Sequence, residues 1–571
     1  MKKTVLWGLC VAVMVVPLAA SQAPTPQSAF SGDQPTGSDD TRSSSYVPVD
    51  SWIYPALVRL QALGYLDTAY LGIRPWTRLS IVHMLDLSAD DITGDENNDE
   101  ARTLFAALER EFKPDLERNA PYLRPSAELE SVYASARGIS GTPLRDSFHI
   151  GQTLTNDYGR PYAEGFNSYL GFSGHAEAAR LSFYLRGEFQ HAPSTAGYSQ
   201  ELASYLSDTL DLIPFADTPK QDTIPAGPLP AANDARIVEA SLNYHVMGHE
   251  FSIGKNDHWL GPDQGGSMLW SNNAEDSYNF QIDRVEPLNI PLLSRLTGPF
   301  RYDFFVGSLK GHTTPNQPWV HLQKISFKPT RNIEFGFDRL VVWGGEGHAP
   351  VTLHTFLHSF FSFQNVTVAE KNSRDDPGAR FGTFDFSYRL PYLRRWVTLY
   401  TDSLCHDDVS PISAPRRAGW RPGIYLARFP KFEHLDLRLE GDYTDTVSAS
   451  VQLGQFLYWE EIQKQGPTNK GFLVGDWIGR QGKGGQSWLT YHLSPQEEIQ
   501  FMYRRTKVAS GFVTGGTTQD DFAFEARKRL FHDFEIRGFV QTEQWKAPIY
   551  ESGSHRNTTA EARITWYPKA K

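Results

Sequence analysis

The stretch HWLGPDQGGSMLWSNNAED, residues 258–276, carries the residue types best suited to ligand chemistry in this 571-residue chain. Saccharide sites combine planar aromatic faces with polar groups that bond hydroxyls. A wide turn, in which Asn and Gly adopt left-handed backbone angles, is the competing interpretation. Both interpretations stay open, so the stretch is a candidate for binding polysaccharide or for shaping an interior. The candidate residues are Trp259, Gly261, Pro262, Trp270, Ser271, Asn272, Asn273 and Tyr278.

Acidic clusters elsewhere raise the question of catalysis. Asp402, Asp407 and Asp408 surround His406, and Glu460 stands next to Glu461. A glycosidase needs two carboxylates held about 5 to 9.5 Å apart across a sugar. Neighbouring acids do not establish that geometry, and a wall of alternating charges brings such pairs together without catalysis. We therefore expect no catalytic residues, and an enzyme acting on glycan or lipid is the least favoured function.

Histidine and glycine patterns offer candidate metal and phosphate sites. His354 and His358 have the i, i+4 spacing that suits a metal on a helix. Their surroundings are aromatic and typical of a strand, where the two residues would lie about 13 Å apart. The glycine-rich segments 344–348 and 482–485 complete no phosphate-loop pattern. The sequence predicts neither a metal nor a cofactor.

Composition narrows the class of protein. The net charge is -11, which gives no electrostatic footprint for a nucleic-acid partner. The chain has 14 Trp, 25 Tyr and 35 Phe, although 21% of its residues are charged. Cys10 lies in the N-terminal apolar run, so Cys405 alone would remain after export and no disulfide framework is possible.

The N-terminus is typical of a signal peptide. A basic Met1-Lys2-Lys3 precedes the apolar run Val5 to Val16, and Pro17 is followed by small residues. The run is too short to span a bilayer as a stable helix. We expect residues 1–20 to be cleaved on export, and residues 21–46, rich in Ser, Thr, Pro and Asp, to be a disordered lead-in.

Residues 47–125 have helical periodicity and predict a small helical bundle. Asp50 and Ser51 precede one amphipathic segment, Thr77 precedes a second, and a third begins near Glu100 and should end before Pro114. Each segment has one apolar face, which three packed helices would bury against one another.

From residue 126 to 571 the period changes to two. Segments such as 181–190, 435–443 and 498–506 alternate apolar or aromatic residues with charges of both signs. In an outer-membrane barrel the apolar face meets lipid and the charged face lines the lumen, with every backbone group paired. Strands of about ten residues give about 16 to 18 of them here. The pattern favours an all-β transmembrane barrel of antiparallel strands over a soluble β-sandwich.

Turns and loops suggest how such a barrel is oriented. The segments 329–332 and 494–495 look like tight periplasmic turns. The polar tracts 191–235, 401–423 and 463–487 look like external loops, the first of them exposed or folded inward.

Several separated segments resemble the Wzi family of outer-membrane capsule assembly proteins. They include PVDSWIYPALVRLQALGYLD (48–67), GIRPWTRL (72–79), RLVVWGGEG (339–347) and LRLEGDYTDT (437–446). The most specific is FSIGKNDHWLGPDQGGSMLWSNNAED (251–276), in which Gly261-Pro262 and the run from Ser271 to Ala274 match the family signature. The resemblance implies an 18-stranded barrel with a helical bundle at its periplasmic end, and a lectin that retains capsular polysaccharide.

We therefore expect a monomeric barrel in the cell outer membrane that binds and anchors capsular or exopolysaccharide and assists capsule assembly. Its other partners would be outer-membrane lipid and the barrel assembly machinery, with no nucleic acid. A diffusion porin is the alternative from another class. The basic pairs Arg416-Arg417 and Arg504-Arg505 would be local sites for an acidic polymer despite the negative net charge.

Overall fold

A computed structural model describes residues 42–117, 125–215, 221–406, 417–445, 454–531 and 533–568. The predicted signal peptide and most of the predicted lead-in lie outside these residues. Residues 42–46, which we placed in the disordered lead-in, are buried, so that prediction is wrong for them. Among the described residues, no helix has the length and apolarity needed to cross a membrane.

Eighteen long strands form the body of the molecule. They are β1 Ser126–Ser140, β2 Gly165–Ala178, β3 Leu181–Ala192, β4 Ala232–Val246, β5 His249–Lys255, β6 Tyr278–Asp283, β7 Phe300–Ser308, β8 Trp319–Thr330, β9 Ile333–Trp343, β10 Ala379–Arg389, β11 Val397–His406, β12 Gly419–Leu426, β13 Leu435–Tyr443, β14 Lys483–Ser494, β15 Glu497–Val508, β16 Thr517–Leu530, β17 Phe534–Ala547 and β18 Glu551–Trp566. Two short ladders join residues 145–146 to 151–152 and 468–469 to 472–473.

The sheet closes on itself. Every strand pairs antiparallel with its neighbours in the chain, and β18 returns to β1 with Val132 opposite Trp566 and Ser140 opposite Thr558. Closure leaves no unpaired sheet edge, which is what a membrane-spanning sheet requires. The predicted all-β barrel of about 18 strands is confirmed.

The two ends of the barrel differ. At one end the connections include tight turns such as residues 178–181, 246–249, 330–333 and 494–497. At the other end, long segments join the strands, among them 193–231, 256–277, 344–378 and 444–482. Short turns are periplasmic and long loops extracellular in barrels of this class. We call the two ends the turn end and the loop end.

Four N-terminal helices pack at the turn end. They are α1 Ile53–Ala62, α2 Arg78–Asp86, α3 Ala89–Thr93 and α4 Asp99–Glu117. Thr77 caps α2 by accepting a hydrogen bond from the Ser80 N–H, as its sequence position predicted. The predicted stop before Pro114 is wrong, because α4 continues through that residue. The apolar faces of the four helices form one buried core, which confirms the N-terminal helical bundle.

We call residues 42–117 the N-terminal module; they comprise the helical bundle and residues 42–51, which enter the barrel. The module contacts strands all around the ring. Its contacts are Ser45 N–H to Glu177 at 2.9 Å, Asp50 to Arg186 at 2.8 Å, Ser44 N–H to Glu250 at 3.3 Å, Tyr46 to Asp283 at 3.1 Å, Gly72 N–H to Glu334 at 2.8 Å, Arg389 to the Tyr65 carbonyl at 3.0 Å, Arg59 to Asp436 at 3.7 Å and Asp50 to Arg563 at 3.8 Å.

The remaining helical elements lie in the connections. They are α5 Gln200–Ser204, which continues as a π-helix over Tyr205–Asp211, α6 Ser294–Thr297, α7 Leu353–Phe361, α8 Val368–Lys371 and a short 3₁₀ turn at Gly454–Phe456.

Helix α7 lies on the outer wall of the barrel. Phe305, Leu322 and Leu340 face the interior, so their neighbours Phe304, Gln323 and Arg339 face outward. Arg339 is nevertheless buried, because its guanidinium donates to the Ser359, Phe360 and Ser362 carbonyls at 2.9–3.0 Å. The exposed side of the helix is apolar, with Leu353, Leu357 and Phe361 one turn apart.

Two of the predicted loops have different bounds. Residues 401–406 and 419–423 belong to β11 and β12, which shortens the connection that we placed at 401–423. The tract predicted as 463–487 is the larger segment 444–482, and most of its described residues are buried. Arg504 and Arg505 lie in β15 and not in a loop, with Arg504 facing inward.

Candidate functional site

The segment 256–277 joins β5 to β6 and crosses the barrel interior. The Glu275 carboxylate is 3.1 Å from Arg236 on β4, while the Gln264 and Gly265 N–H groups donate to Glu440 on β13, half a turn round the ring. Every residue of the segment is buried except Gln264, which is partly exposed. We call it the lumen segment.

The two tryptophans of the lumen segment are packed within the protein. Trp259 is 6% exposed, donates from its indole N–H to the Asp263 carbonyl and lies under the Arg74 guanidinium, 5.3 Å from its ring. Trp270 is 1% exposed and meets Phe305 edge-on at 4.8 Å. Neither ring offers an open face to a sugar. Tyr278, at 56% exposure, lies on the outer wall in β6.

The polar signature residues hydrogen-bond to other interior segments. The Asn273 side chain donates to Gln152 and the Leu473 carbonyl, and accepts from Gln152 and from the Asn156 N–H, at 2.9–3.2 Å. The Ser271 hydroxyl donates to the Gly475 carbonyl at 2.9 Å. Asn272 binds through its backbone carbonyl, which accepts from the Tyr158 N–H at 2.7 Å. These residues join the lumen segment to the connections 141–164 and 444–482.

The signature glycines mark close approaches. A Cβ on Gly261 would stand 2.8 Å from an Asp402 carboxylate oxygen, and one on Gly265 only 2.1 Å from Nη2 of Arg421. Pro262 is buried beside Gly261. At these positions the backbone itself passes charged side chains of the barrel wall.

A charge network that we did not predict holds this part of the lumen segment. Arg421 on β12 pairs with Glu440 at 2.9 Å and with Asp442 at 2.7 Å, and it also binds Asp476. The alternation in β13 predicted inward acids, but nothing in the sequence paired them with Arg421, because the pairing depends on the register between β12 and β13.

Asp263 stands beside this network without a hydrogen bond to either carboxylate oxygen within the described part of the chain. It is fully buried. Burial raises the pKa of Asp263 well above its usual range, and the nearby carboxylates of Glu440 and Asp402 raise it further. A neutral, protonated Asp263 is the form that this site favours.

The acids considered for catalysis have separate structural partners. The Asp402 carboxylate accepts the Met268 N–H at 2.8 Å and so anchors the lumen segment. Glu460 accepts the Ile462 and Gln463 N–H groups and pairs with Lys371 at 2.9 Å, while Glu461 points to solvent. His406 stacks on Phe381, with ring centroids 5.0 Å apart. Asp407 and Asp408 lie outside the described residues.

His354 and His358 lie on helix α7, so our strand assignment for them is wrong. His358 is 3.5 Å from Glu370. Within the described ranges, no group of three or more His, Cys, Asp or Glu side chains could hold a metal ion.

Other loop-end segments fold inward as well. His149 bridges Asp146, at 2.9 Å, and Asp211 of the 193–231 connection, at 2.8 Å, and Arg480 reaches Asp211 at 3.0 Å. Burial opposes the charge on His149, but the two carboxylates outweigh it and raise its pKa to about 9. The apolar residues of 141–164, the lumen segment and 444–482 form one buried cluster with the inner barrel wall. Those of the 193–231 connection form a second buried cluster with Trp545 and Ala547 of β17.

The surface at the loop end carries two neighbouring exposed lysines. Lys310, between β7 and β8, and Lys470, in the 444–482 connection, are exposed there and adjacent, since the Lys470 N–H donates to the Lys310 carbonyl at 2.9 Å. Lys470 also pairs with Glu275 of the lumen segment at 2.9 Å, with half of its side chain exposed.

Comparison with known proteins gives three findings. The family model described as capsule assembly protein Wzi matches residues 134–560. An uncharacterised 55.8 kDa protein from the cps region of Klebsiella pneumoniae is 24% identical over 160 residues, which are 28% of this chain and 31% of that protein. The chain thus spans about a third of the length of that curated relative.

The solved structure of Escherichia coli Wzi is similar in fold. It has 15% sequence identity and a TM-score of 0.66, over 92% of this chain and 100% of that one. That protein is described as an outer-membrane protein involved in group 1 capsule assembly and as a carbohydrate-binding β-barrel. With the family model covering most of the barrel, the chain belongs to the Wzi family of capsule assembly proteins.

Proposed function

We propose that this protein is an outer-membrane lectin that binds and anchors capsular or exopolysaccharide at the cell surface and assists capsule assembly without catalysing a reaction. The observation that carries the proposal is a closed barrel whose interior is occupied by its own lumen segment and loops. Such a barrel presents a fixed extracellular surface. Membership of the Wzi family and the carbohydrate binding described for the Escherichia coli relative support the same function.

The filled interior argues against the diffusion porin. Conductance of the purified protein in a planar bilayer tests this alternative directly. We expect no steady open channel, whereas a large constant conductance would contradict the anchoring function.

Deletion of the gene tests anchoring in the cell. We expect surface polymer to fall and the same polymer to appear in the medium, with unchanged chain length. Unchanged surface retention in the deletion strain would refute anchoring, and a change in polymer chain length after contact with purified protein would favour an enzyme.

The exposed Lys310 and Lys470 at the loop end support a binding site for an acidic polymer there. Binding of the purified protein to polysaccharide from its own cell is compared with that of the K310Q/K470Q variant. We expect binding to weaken several-fold and to lose most of its salt dependence, because exposed charges are screened within about 10 Å at 0.1 M salt. The control is Lys431→Gln, an exposed lysine in a connection at the turn end. Equal loss in both variants would rule out a loop-end site.

The remaining partners follow from the barrel. The apolar outer wall requires outer-membrane lipid, and insertion requires the barrel assembly machinery, with Trp566 and Tyr567 as the aromatic end of the last strand. We propose a monomer, exported through a cleaved signal peptide.

A further inference from the structure

The outer wall formed by β13 to β18 carries an ordered pattern of side chains near the loop end. The strand pairing aligns outward residues in rows that run round the barrel, and successive rows are about 7 Å apart. The first row is Leu437, Leu489, Phe501, Phe524 and Val540. The second, one step nearer the loop end, is Leu439, Ser487, Tyr503, Phe522 and Thr542.

All residues of these two rows except Leu439 line an open apolar depression of about 380 Å³ on the membrane-facing surface. Phe501 packs on Phe524 at 5.1 Å and Tyr503 on Phe522 at 4.8 Å, while the small Ser487 leaves room beside them. A depression of this kind in the apolar band is suited to a hydrocarbon chain.

The next two rows are polar and rich in cations. The third is Gly441, Gly485, Arg505, Asp520, Gln544 and Arg556. The fourth is Tyr443, Lys483, Lys507, Thr518 and Lys546. Five cations therefore lie on the loop-end side of the depression, four on the strands that line it and Arg556 on the adjacent β18. The chain as a whole has more acids than bases, 66 to 55.

Few acids accompany these cations. Arg505, with 72% of its side chain exposed, is 3.5 Å from Asp520, and Lys483 is 3.6 Å from Asp445. Lys507, Lys546 and Arg556 are exposed and have no ion pair within the described part of the chain. The nearby Glu551 pairs with His555 at 3.1 Å. The third and fourth rows thus carry an excess of positive charge at the membrane depth where the apolar band of the barrel ends and the lipid headgroups begin.

We propose that this surface is a docking site for the phosphorylated glycolipid of the outer leaflet, lipid A, with its phosphates on the cationic rows and an acyl chain in the depression. Lysine and arginine are the side chains that bind phosphate by charge-assisted hydrogen bonds, and basic clusters at a membrane surface bind anionic headgroups. The position of both features on one face, at the loop end, is what an outer-leaflet lipid requires.

Native mass spectrometry of the full-length protein in detergent tests the site with bis-phosphorylated lipid A as the probe. We expect R505Q/K507Q to weaken binding roughly tenfold or more, since each cation near a membrane surface contributes appreciably to anionic-lipid binding. The matched control is Lys528→Gln, which removes an exposed lysine from the outward face of neighbouring β16 at the turn end. Equal binding by the parent and R505Q/K507Q, or an equal loss in the control, would overturn the proposal.

Two further comparisons separate the parts of the site. Ser487→Trp fills the depression and should weaken binding while leaving all five cations in place. Dephosphorylated lipid A should bind weakly to the parent, and O-deacylated lipid A more weakly than the intact lipid. Equal binding of deacylated and intact lipid would overturn lipid docking and assign the cations to a soluble anionic polymer. Heat-dependent gel mobility confirms that each variant retains a folded barrel.

Discussion

At the scale of single residues, Gly265 shows why the family signature is rich in glycine. A Cβ there would lie 2.1 Å from Nη2 of Arg421 and 2.4 Å from the Gln486 side-chain oxygen. We expect Gly265→Ala to cost about 1–3 kcal/mol of stability, the usual cost of overpacking. The measurement is the temperature at which the barrel loses its compact gel mobility. Gly138→Ala, where a Cβ meets nothing within 4 Å, should leave that temperature unchanged.

Asp263 predicts a pH dependence. Its pKa in the folded protein is raised from 3.8, so its favourable contribution is complete below about pH 3.8 and is lost as the pH rises through the folded value. Asp263→Asn keeps the shape and removes the charge. We expect this variant to unfold at a higher temperature than the parent at neutral pH and at a similar temperature near pH 4. Glu461→Gln, an exposed acid, serves as the control. If Asp263→Asn were less stable than the parent at neutral pH, the prediction that Asp263 is buried in its neutral form would be contradicted.

The sequence identified these residues without their partners. The stretch 258–276 was recognisable by its composition and family signature. Its contacts with Asp402, Arg421 and Glu440 join positions more than a hundred residues apart. No local pattern encodes such pairs, so the sequence alone does not distinguish sugar contact from interior packing.

At the scale of elements, helix α7 is the clearest departure from the sequence pattern. Its aromatic residues and histidines predict a strand. An N-terminal capping box starts a helix instead: the Thr352 hydroxyl accepts a hydrogen bond from the Thr355 N–H, and the Thr355 hydroxyl accepts one from the Thr352 N–H. The strands were predictable because one face of each meets lipid. The inward-folded connections were not, because they are polar like exposed loops and find their partners only inside the barrel.

Arg339 holds helix α7 to the outer wall. Arg339→Ala removes three hydrogen bonds from a charged donor, each worth about 1.5–3 kcal/mol. We expect the segment 350–378 to become sensitive to limited proteolysis while the barrel keeps its compact gel mobility. Arg331→Ala, an exposed arginine at the turn end, should not expose the segment. If the segment 350–378 of Arg339→Ala stayed fully protected from proteolysis, apolar packing alone would hold helix α7 to the wall.

His149 makes the docking of the 193–231 connection depend on pH. Its folded pKa of about 9 lies above the ordinary 6.5. The stabilisation is therefore complete below about pH 6.5 and is lost as the pH rises through 9. We expect proteolysis within 193–231 to increase between pH 7 and pH 10 in the parent. His149→Gln should be cleaved readily at both pH 7 and pH 10. If cleavage of the parent did not depend on pH, the role of His149 in docking the connection would be refuted.

At the scale of the whole molecule, the N-terminal module connects strands that are far apart in the ring. Removal of residues 42–117 eliminates the helical core and the partners of inward groups such as Glu250, Glu334 and Asp436. We expect the shortened barrel to lose its compact gel mobility at a lower temperature than the intact chain. Removal of residues 21–41 is the control. An unchanged temperature after loss of the module would show that the ring is stable without it.

The contacts of Asp50 also determine an order of events. Asp50 reaches Arg186 on β3 and Arg563 on β18, the last strand to be synthesised. The Asp50–Arg186 pair needs only β3, whereas the Asp50–Arg563 pair needs β18, so the two pairs exist together only when both strands stand in the ring. Contacts of such large sequence separation form slowly. The helical core of the module is local and does not depend on β18, but the full set of Asp50 contacts does, so docking of the module is complete only after the last strand has joined the ring.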